Sequence, residues 1–126
     1  MLNPKTKNII TLWFPILFWC AVIYYLSSIP GLKSDLPNQW DFIMRKIAHI
    51  TEYAILTFLF FRASSKNLNY KKAISYSALF SIIFALTDEY HQLFVFGRGG
   101  NLRDVLIDSL GIFLMVFLIY RKVKKW

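Results

Sequence analysis

The stretch NIITLWFPILFWCAVIYYLSSIPGL, residues 8–32, holds no charged side chain, and residues 9–26 within it are almost wholly apolar. A helix needs about 20 such residues to cross the hydrocarbon of a bilayer, so the run reads as a transmembrane span. A secretory signal peptide is the rival reading, because Lys5 and Lys7 precede the apolar residues. The run is too long for that, and no Ala-x-Ala-like site follows it. Cys20 does not fit a lipoprotein site either, since bulky Leu17, Phe18 and Trp19 precede it. The span is expected to stay attached, with Pro15 bending it and Pro30-Gly31 ending it.

The rest of the chain shares this character. Of its 126 residues 56% are hydrophobic and 18% aromatic, and the mean hydropathy is +0.44, whereas a soluble domain of this size holds about 45–50% apolar residues. That composition argues against intrinsic disorder and against a soluble cytosolic enzyme, and the length allows one domain. The single cysteine, Cys20, excludes an internal disulfide and a cysteine-based zinc cluster. A formal charge of +8 suggests nucleic acid or an anionic membrane surface as a partner. The apolar content decides for the membrane.

Three further spans are less clean. Residues 41–61 read as a helix whose second half is apolar and whose first half carries Arg45, Lys46, His49 and Glu52. Residues 73–87 are uncharged but too few to cross about 30 Å of hydrocarbon, so that helix must continue to about Gln92 or Phe94, carrying Asp88 and Glu89 with it. Residues 102–120 repeat the pattern, with Asp104 and Asp108 at the start. The expected fold is all-α, a four-transmembrane-helix bundle. Lys5, Lys7, Arg62, Lys66, Lys71, Lys72, Arg121, Lys122, Lys124 and Lys125 fall at one end, which the positive-inside rule places in the cytoplasm together with both termini. The opposite end carries Lys33, Arg45, Lys46, Arg98 and Arg103 against all seven acids: Asp35, Asp41, Glu52, Asp88, Glu89, Asp104 and Asp108. The basic excess is therefore mainly a topology signal with affinity for anionic lipid, and not a nucleic-acid footprint.

Ionisable residues inside spans are costly when unpaired and usually face a bundle interior or a wet cavity. Arg45, His49 and Glu52 share a face at i, i+4 and i+7, with Lys46 close to it; Asp88, His91 and Gln92 form a second face; Asp104 and Asp108 form a third. Thr51, Tyr90, Ser27 and Ser28 lie at comparable depth and offer hydroxyl partners. Their convergence suggests an outer-leaflet site. Snorkelling to the headgroups is the alternative, and it explains Lys33, Asp35 and Asp41 best.

The loop Phe96-Gly97-Arg98-Gly99-Gly100-Asn101 has three glycines in four positions, which allow close backbone approach. Asn101 fits the N-cap of the next helix, with Asp104 as in a capping box. Backbone N–H groups with Arg98 and Arg103 suit an anion, such as the phosphate or pyrophosphate of a lipid carrier, although Asp104 and Asp108 would repel it without a metal or the arginines. An ordinary glycine turn is the plain alternative. His49, Glu52, Asp88, His91 and Asp108 are residue types that ligate zinc or a harder divalent cation, but their spacing matches no diagnostic motif. For acid–base work Glu52 beside His49 is the best pair, and no signal places the Ser27 or Ser28 hydroxyl against it. Trp13, Trp19, Trp40 and Trp126 read as lipid-facing and interfacial residues.

The ordered set Leu26-Ser27-Ser28-Ile29-Pro30-Gly31, Arg45-Lys46-Ile47-Ala48-His49-Ile50-Thr51-Glu52-Tyr53, Asp88-Glu89-Tyr90-His91-Gln92-Leu93-Phe94, Gly97-Arg98 and Asp104 to Gly111 resembles the VanZ-like family of small bacterial integral membrane proteins. The resemblance covers about residues 20–115 and implies one transmembrane domain over residues 1–126. Its namesake is linked to low-level resistance to the lipoglycopeptide teicoplanin. The polar signature it implies is Lys46, His49, Glu52, Asp88, Glu89, Gln92, Arg98, Asp104 and Asp108. Phe96 departs from the pattern, since relatives often carry proline before the Gly-Arg pair.

Three functions follow as expectations. In the first, a membrane-embedded hydrolase or transferase acts on a lipid-linked or cell-envelope substrate. His49, Glu52, Asp88 and Glu89 are its catalytic candidates, Glu52 as base with His49 as its orienter. Lys46, His91, Gln92, Arg98, Arg103, Asp104 and Asp108 contact substrate, and Arg98 stabilises developing negative charge. In the second, the protein binds an envelope precursor or lipoglycopeptide without converting it. The third is a small flippase or proton-coupled carrier, for which four short helices offer little room without oligomerisation. The partners expected are membrane lipids and such a precursor, in the cell membrane.

Overall fold

The computed structural model describes residues 3–28, 38–94 and 102–124. These form four helices, α1 (Pro4–Ser28), α2 (Asn38–Ser64), α3 (Tyr70–Gln92) and α4 (Leu102–Lys124), and no strand occurs among the described residues. The Pro30-Gly31 terminator, Lys33, Asp35, the glycine loop with Phe96, Arg98 and Asn101, and Trp126 lie outside them, as does the side chain of Asp41.

Local chemistry sets the helix starts. Pro4 occupies the first turn of α1, where its missing N–H costs nothing, and Asn3 caps it by accepting from the Lys5 N–H at 3.1 Å. Asn69 caps α3 in the same way, its side chain accepting from Lys72 N–H at 2.9 Å. The α2–α3 connection is a short turn closed by Leu68 N–H on Ser64 O at 3.0 Å, so these two helices run antiparallel as neighbours. α3 does continue past the two acids to Gln92, as the span length required.

Pro15 sits inside α1 without ending it. A proline cannot donate to the carbonyl four residues back, which leaves the Thr11 carbonyl without its usual helical donor. Arg62 of α2 supplies one, donating from Nη2 to Thr11 O at 3.1 Å. A sequence irregularity in one helix thus becomes a bond to the next.

α2 and α3 form the middle of the bundle. α1 packs against both, α4 packs against both, and α1 and α4 do not approach each other. The core is apolar where it can be, with Ile16, Ile23, Tyr53, Leu56, Ala63, Ala85, Val105 and Ile112 buried together. α3 contributes Ala73, Ser77, Ser81 and Ala85, buried at four-residue intervals, and small residues in such a row let helix backbones come close. Thr57 donates to Ser81 Oγ at 2.9 Å across this seam. On α4 the close approach is at Gly111: a Cβ there would overlap the Ile50 carbonyl oxygen and lie 2.9 Å from its carbon.

The distribution of polarity is inverted relative to a soluble protein. Buried positions include Ser27, Thr57, Ser77, Ser81, Asp88, Glu89, Gln92 and Asp108, while Leu17, Phe18, Phe42, Ile47, Leu79, Ile83, Phe113 and Phe117 are exposed, two on each helix. Among the described residues α1 alone is long and apolar enough to cross a membrane by length and composition; the other three carry charged residues toward both ends. Two tryptophans depart from the expected outward orientation. Trp13 is partly buried and meets Phe60 edge-on with ring centroids 5.6 Å apart, and Trp19 turns inward to donate to Glu52 O at 2.9 Å.

Candidate functional site at the acidic end of the bundle

The three polar faces read from the sequence meet, each with particular partners. Lys46 and His49, one turn apart on α2, oppose Asp104 and Asp108, one turn apart on α4. Lys46 Nζ donates to Asp104 Oδ1, with both side chains partly buried. His49 Nδ1 lies 3.2 Å from Asp108 Oδ1. Asp108 is fully buried, and neither of its carboxyl oxygens nor His49 Nδ1 has a hydrogen-bond partner among the described residues, so the two groups face each other without a formed hydrogen bond. The two contacts form rungs between α2 and α4, just above the Gly111–Ile50 approach that brings the backbones close enough for them.

Asp88 is the corresponding node on α3. It is only 1% exposed and accepts from a hydroxyl on each of two other helices: Ser27 Oγ of α1 at 2.6 Å and Tyr53 Oη of α2 at 3.3 Å. Gln92, one turn along α3, adds Nε2 at 3.4 Å. Three donors aimed at one carboxyl group suit its acceptor-only ionised form, and the Ser27 contact has the length of a charge-assisted bond. Burial of the group is offset by these bonds, which also tie three helices together.

A cavity of about 130 Å³ opens beside these groups. Its walls are Ile23, Leu26 and Ala48; its polar lining is Ser27, Arg45, His49, Glu52 and Asp88. Room of this size holds several waters or a small polar group. Arg45 is exposed, while Asp88 lies deep, so the lining runs from a cationic side chain to a carboxylate.

Of the sequence-level candidates, His49, Glu52 and Asp88 share the cavity. Glu89 is buried on the same helix but does not line it. The group nearest His49 Nδ1 is Asp108, whereas the expected partner of the imidazole is Glu52. Asp108 itself, expected to contact substrate, lies fully buried behind His49. Lys46 and Asp104 pair with each other, and Gln92 turns onto Asp88. His91 leaves the Asp88 face for the α1 seam: Nδ1 is 3.0 Å from Tyr24 Oη, Nε2 is 2.9 Å from Ser28 Oγ, and the ring stacks on Tyr24 at 4.1 Å. Arg103 is exposed at the start of α4, and Arg98 lies outside the described residues. Thr51 is exposed and bonds back to Ile47 O, and Tyr90 is exposed against Phe94; neither joins the site. No group of three or more His, Cys, Asp or Glu side chains among the described residues comes together as a metal site, so the ligand set His49, Glu52, Asp88, His91 and Asp108 is not assembled.

Tyr53 was not singled out in the sequence, although it follows Glu52 directly and lies one turn after His49. That spacing puts it on the polar face; its ring belongs to the apolar core while its hydroxyl reaches Asp88.

Residues 9–123 match a family model described as VanZ/LLP1. The chain is 38% identical over 98 residues to the protein named uncharacterized membrane protein YwnJ of Bacillus subtilis (strain 168), a match covering 73% of this chain and 64% of that protein. The matched region thus spans less than two thirds of that relative's length. No solved structure matches.

Proposed function

The chain belongs to the VanZ/LLP1 family, and from that premise we propose that it is a multi-pass protein of the cell membrane whose polar cavity takes a lipid-linked envelope substrate at the outer leaflet. The membrane reading of all four helices rests on their exposed apolar side chains and polar interior, an arrangement that would leave large apolar patches in water. At 23 to 27 residues each, the helices extend about 35–40 Å, enough to cross. The ten basic residues that the sequence gathers on one side of the spans support a cytoplasmic position for that side under the positive-inside rule.

The observation that carries the functional reading is the meeting of His49, Glu52 and Asp88 on one cavity. With Nδ1 turned toward Asp108, His49 offers Nε2 for proton exchange with a bound group. Asp108 acts through His49 and is a positioning residue. Glu52 lies in the same lining as a second proton acceptor. Arg45 in that lining, with Arg103 at the start of α4, supplies positive charge for a phosphate or pyrophosphate. This constellation suits a hydrolytic or group-transfer step on an envelope precursor, the substrate class through which a role in lipoglycopeptide resistance would act.

A second reading, a non-catalytic binding or immunity protein for the precursor or for teicoplanin, is favoured by Asp88. A carboxyl group already engaged by three donors recognises more readily than it reacts. Reconstituted protein incubated with labelled lipid-linked precursor separates the two. Conversion to a product of altered mass, lost in Glu52→Gln and Asp88→Asn variants that still fold, supports the enzyme. Saturable binding with the ligand recovered unchanged assigns the binder.

A further inference from the structure

The opposite end of the bundle holds a groove unrelated to the polar cavity. It measures about 570 Å³ and lies between the start of α1 and the turn after α2, lined by Lys5, Asn8, Ile9, Leu12 and Trp13 of α1 and by Lys66 and Asn67. That volume falls in the usual range of ligand sites, roughly 300–1,000 Å³. Apart from Thr11, which also lines the groove, the α1 lining follows one helical face, and its chemistry changes along the axis. Lys5 and Asn8 come first; Ile9, Leu12 and Trp13 follow, about 12 Å from one end of the set to the other. Trp13 is held as a wall by its edge-on contact with Phe60.

The charge at this groove has no internal counterpart. Neither Lys5 nor Lys66 forms an ion pair among the described residues. Arg62, bonded to the Thr11 carbonyl beside the groove, has a buried Nε with no hydrogen-bond partner. No acid among the described residues lines this groove, so the anion that these cations would meet is taken to come from outside the described part of the protein. Two ammonium groups and two amides above an isoleucine, a leucine and an indole match a molecule with an anionic head and an apolar tail. A soluble anion would use only the upper half.

We infer that this groove is a binding site for one anionic phospholipid of the inner leaflet, its phosphate between Lys5 and Lys66 and an acyl chain along Ile9, Leu12 and Trp13. The inference rests on the membrane reading above and is independent of any chemistry in the polar cavity.

The test places purified protein in nanodiscs of equal phosphatidylglycerol and phosphatidylcholine and counts retained lipids by native mass spectrometry. A protein that does not enter nanodiscs refutes the membrane reading, and with it the groove, before any lipid is counted. Wild type should retain phosphatidylglycerol preferentially. Paired Lys5→Gln and Lys66→Gln substitutions should lower that preference about thirtyfold, since each basic residue near an anionic surface contributes about a factor of five. Lys7→Gln with Lys72→Gln removes the same charge from the same end, outside the groove, and should leave the preference intact. Asn8→Trp fills the groove without changing charge and should abolish it. Equal loss in both lysine pairs would assign the preference to diffuse surface charge and overturn the site. Absence of any preference in wild type, or full retention by Asn8→Trp, would overturn it as well.

Discussion

His49 Nδ1 and Asp108 Oδ1 face each other at 3.2 Å across the α2–α4 seam, and Asp108 has no exposed surface. Removing the polar group that faces a buried carboxyl leaves that carboxyl uncompensated, at a cost of about 1–3 kcal/mol. His49→Ala is therefore expected to destabilise the protein within that range. Adding Asp108→Leu should recover part of that loss. Thermal unfolding in detergent micelles across the double-mutant cycle measures the coupling, and strictly additive effects would show that the two groups do not depend on each other.

Gly111 packs so closely on Ile50 that a methyl group would overlap a backbone carbonyl, which cannot rotate aside. Gly111→Ala should push α4 off α2 at a cost of about 1–3 kcal/mol or more. It should weaken both rungs above it, so that its functional defect resembles that of Asp108 substitutions. Wild-type stability in Gly111→Ala would contradict the helix separation described.

Arg62 and Pro15 are linked through the Thr11 carbonyl. A hydrogen bond to a charged donor contributes about 1.5–3 kcal/mol, so Arg62→Met should destabilise within that range. In a Pro15→Ala background the new N–H at residue 15 takes over Thr11 O, and the cost of Arg62→Met should shrink. Unfolding of the four combinations reads this directly; an unchanged cost would mean that Arg62 stabilises by some other contact.

The donors to Asp88 differ in length, 2.6 Å from Ser27 and 3.3 Å from Tyr53. Ser27→Ala and Tyr53→Phe each remove one, with costs in the range of about 1–3 kcal/mol. The hydrogen-bond part of the loss should be larger for Ser27. Equal stability of Ser27→Ala and wild type would remove Asp88 from its role as the joint of α1, α2 and α3.

Topology is open to chemical labelling. In a Cys20→Ala background, an impermeant thiol reagent applied to intact cells should label Leu93→Cys, which replaces an exposed residue at the acidic end, and should spare Lys66→Cys. The reverse pattern would invert the proposed orientation.

Much of this molecule was legible in the chain because helix geometry is local. An uncharged run of 25 residues, a third helix that had to continue through Asp88 and Glu89 to Gln92, and the separation of all seven acids from ten basic residues follow from composition and a rise of about 1.5 Å per residue. Spacings of three and four residues likewise grouped Lys46 with His49, Asp88 with Gln92, and Asp104 with Asp108. Which groups meet was not legible. That His49 turns to Asp108, that His91 leaves Asp88 for Tyr24 and Ser28, and that Trp19 points inward depend on the rotation and spacing of helices whose contacting residues lie 33 to 67 positions apart. Close packing at Gly111 sets the α2–α4 spacing, and the Thr57–Ser81 contact bridges α2 and α3. Periodicity within one helix carries no information about the face that another presents to it.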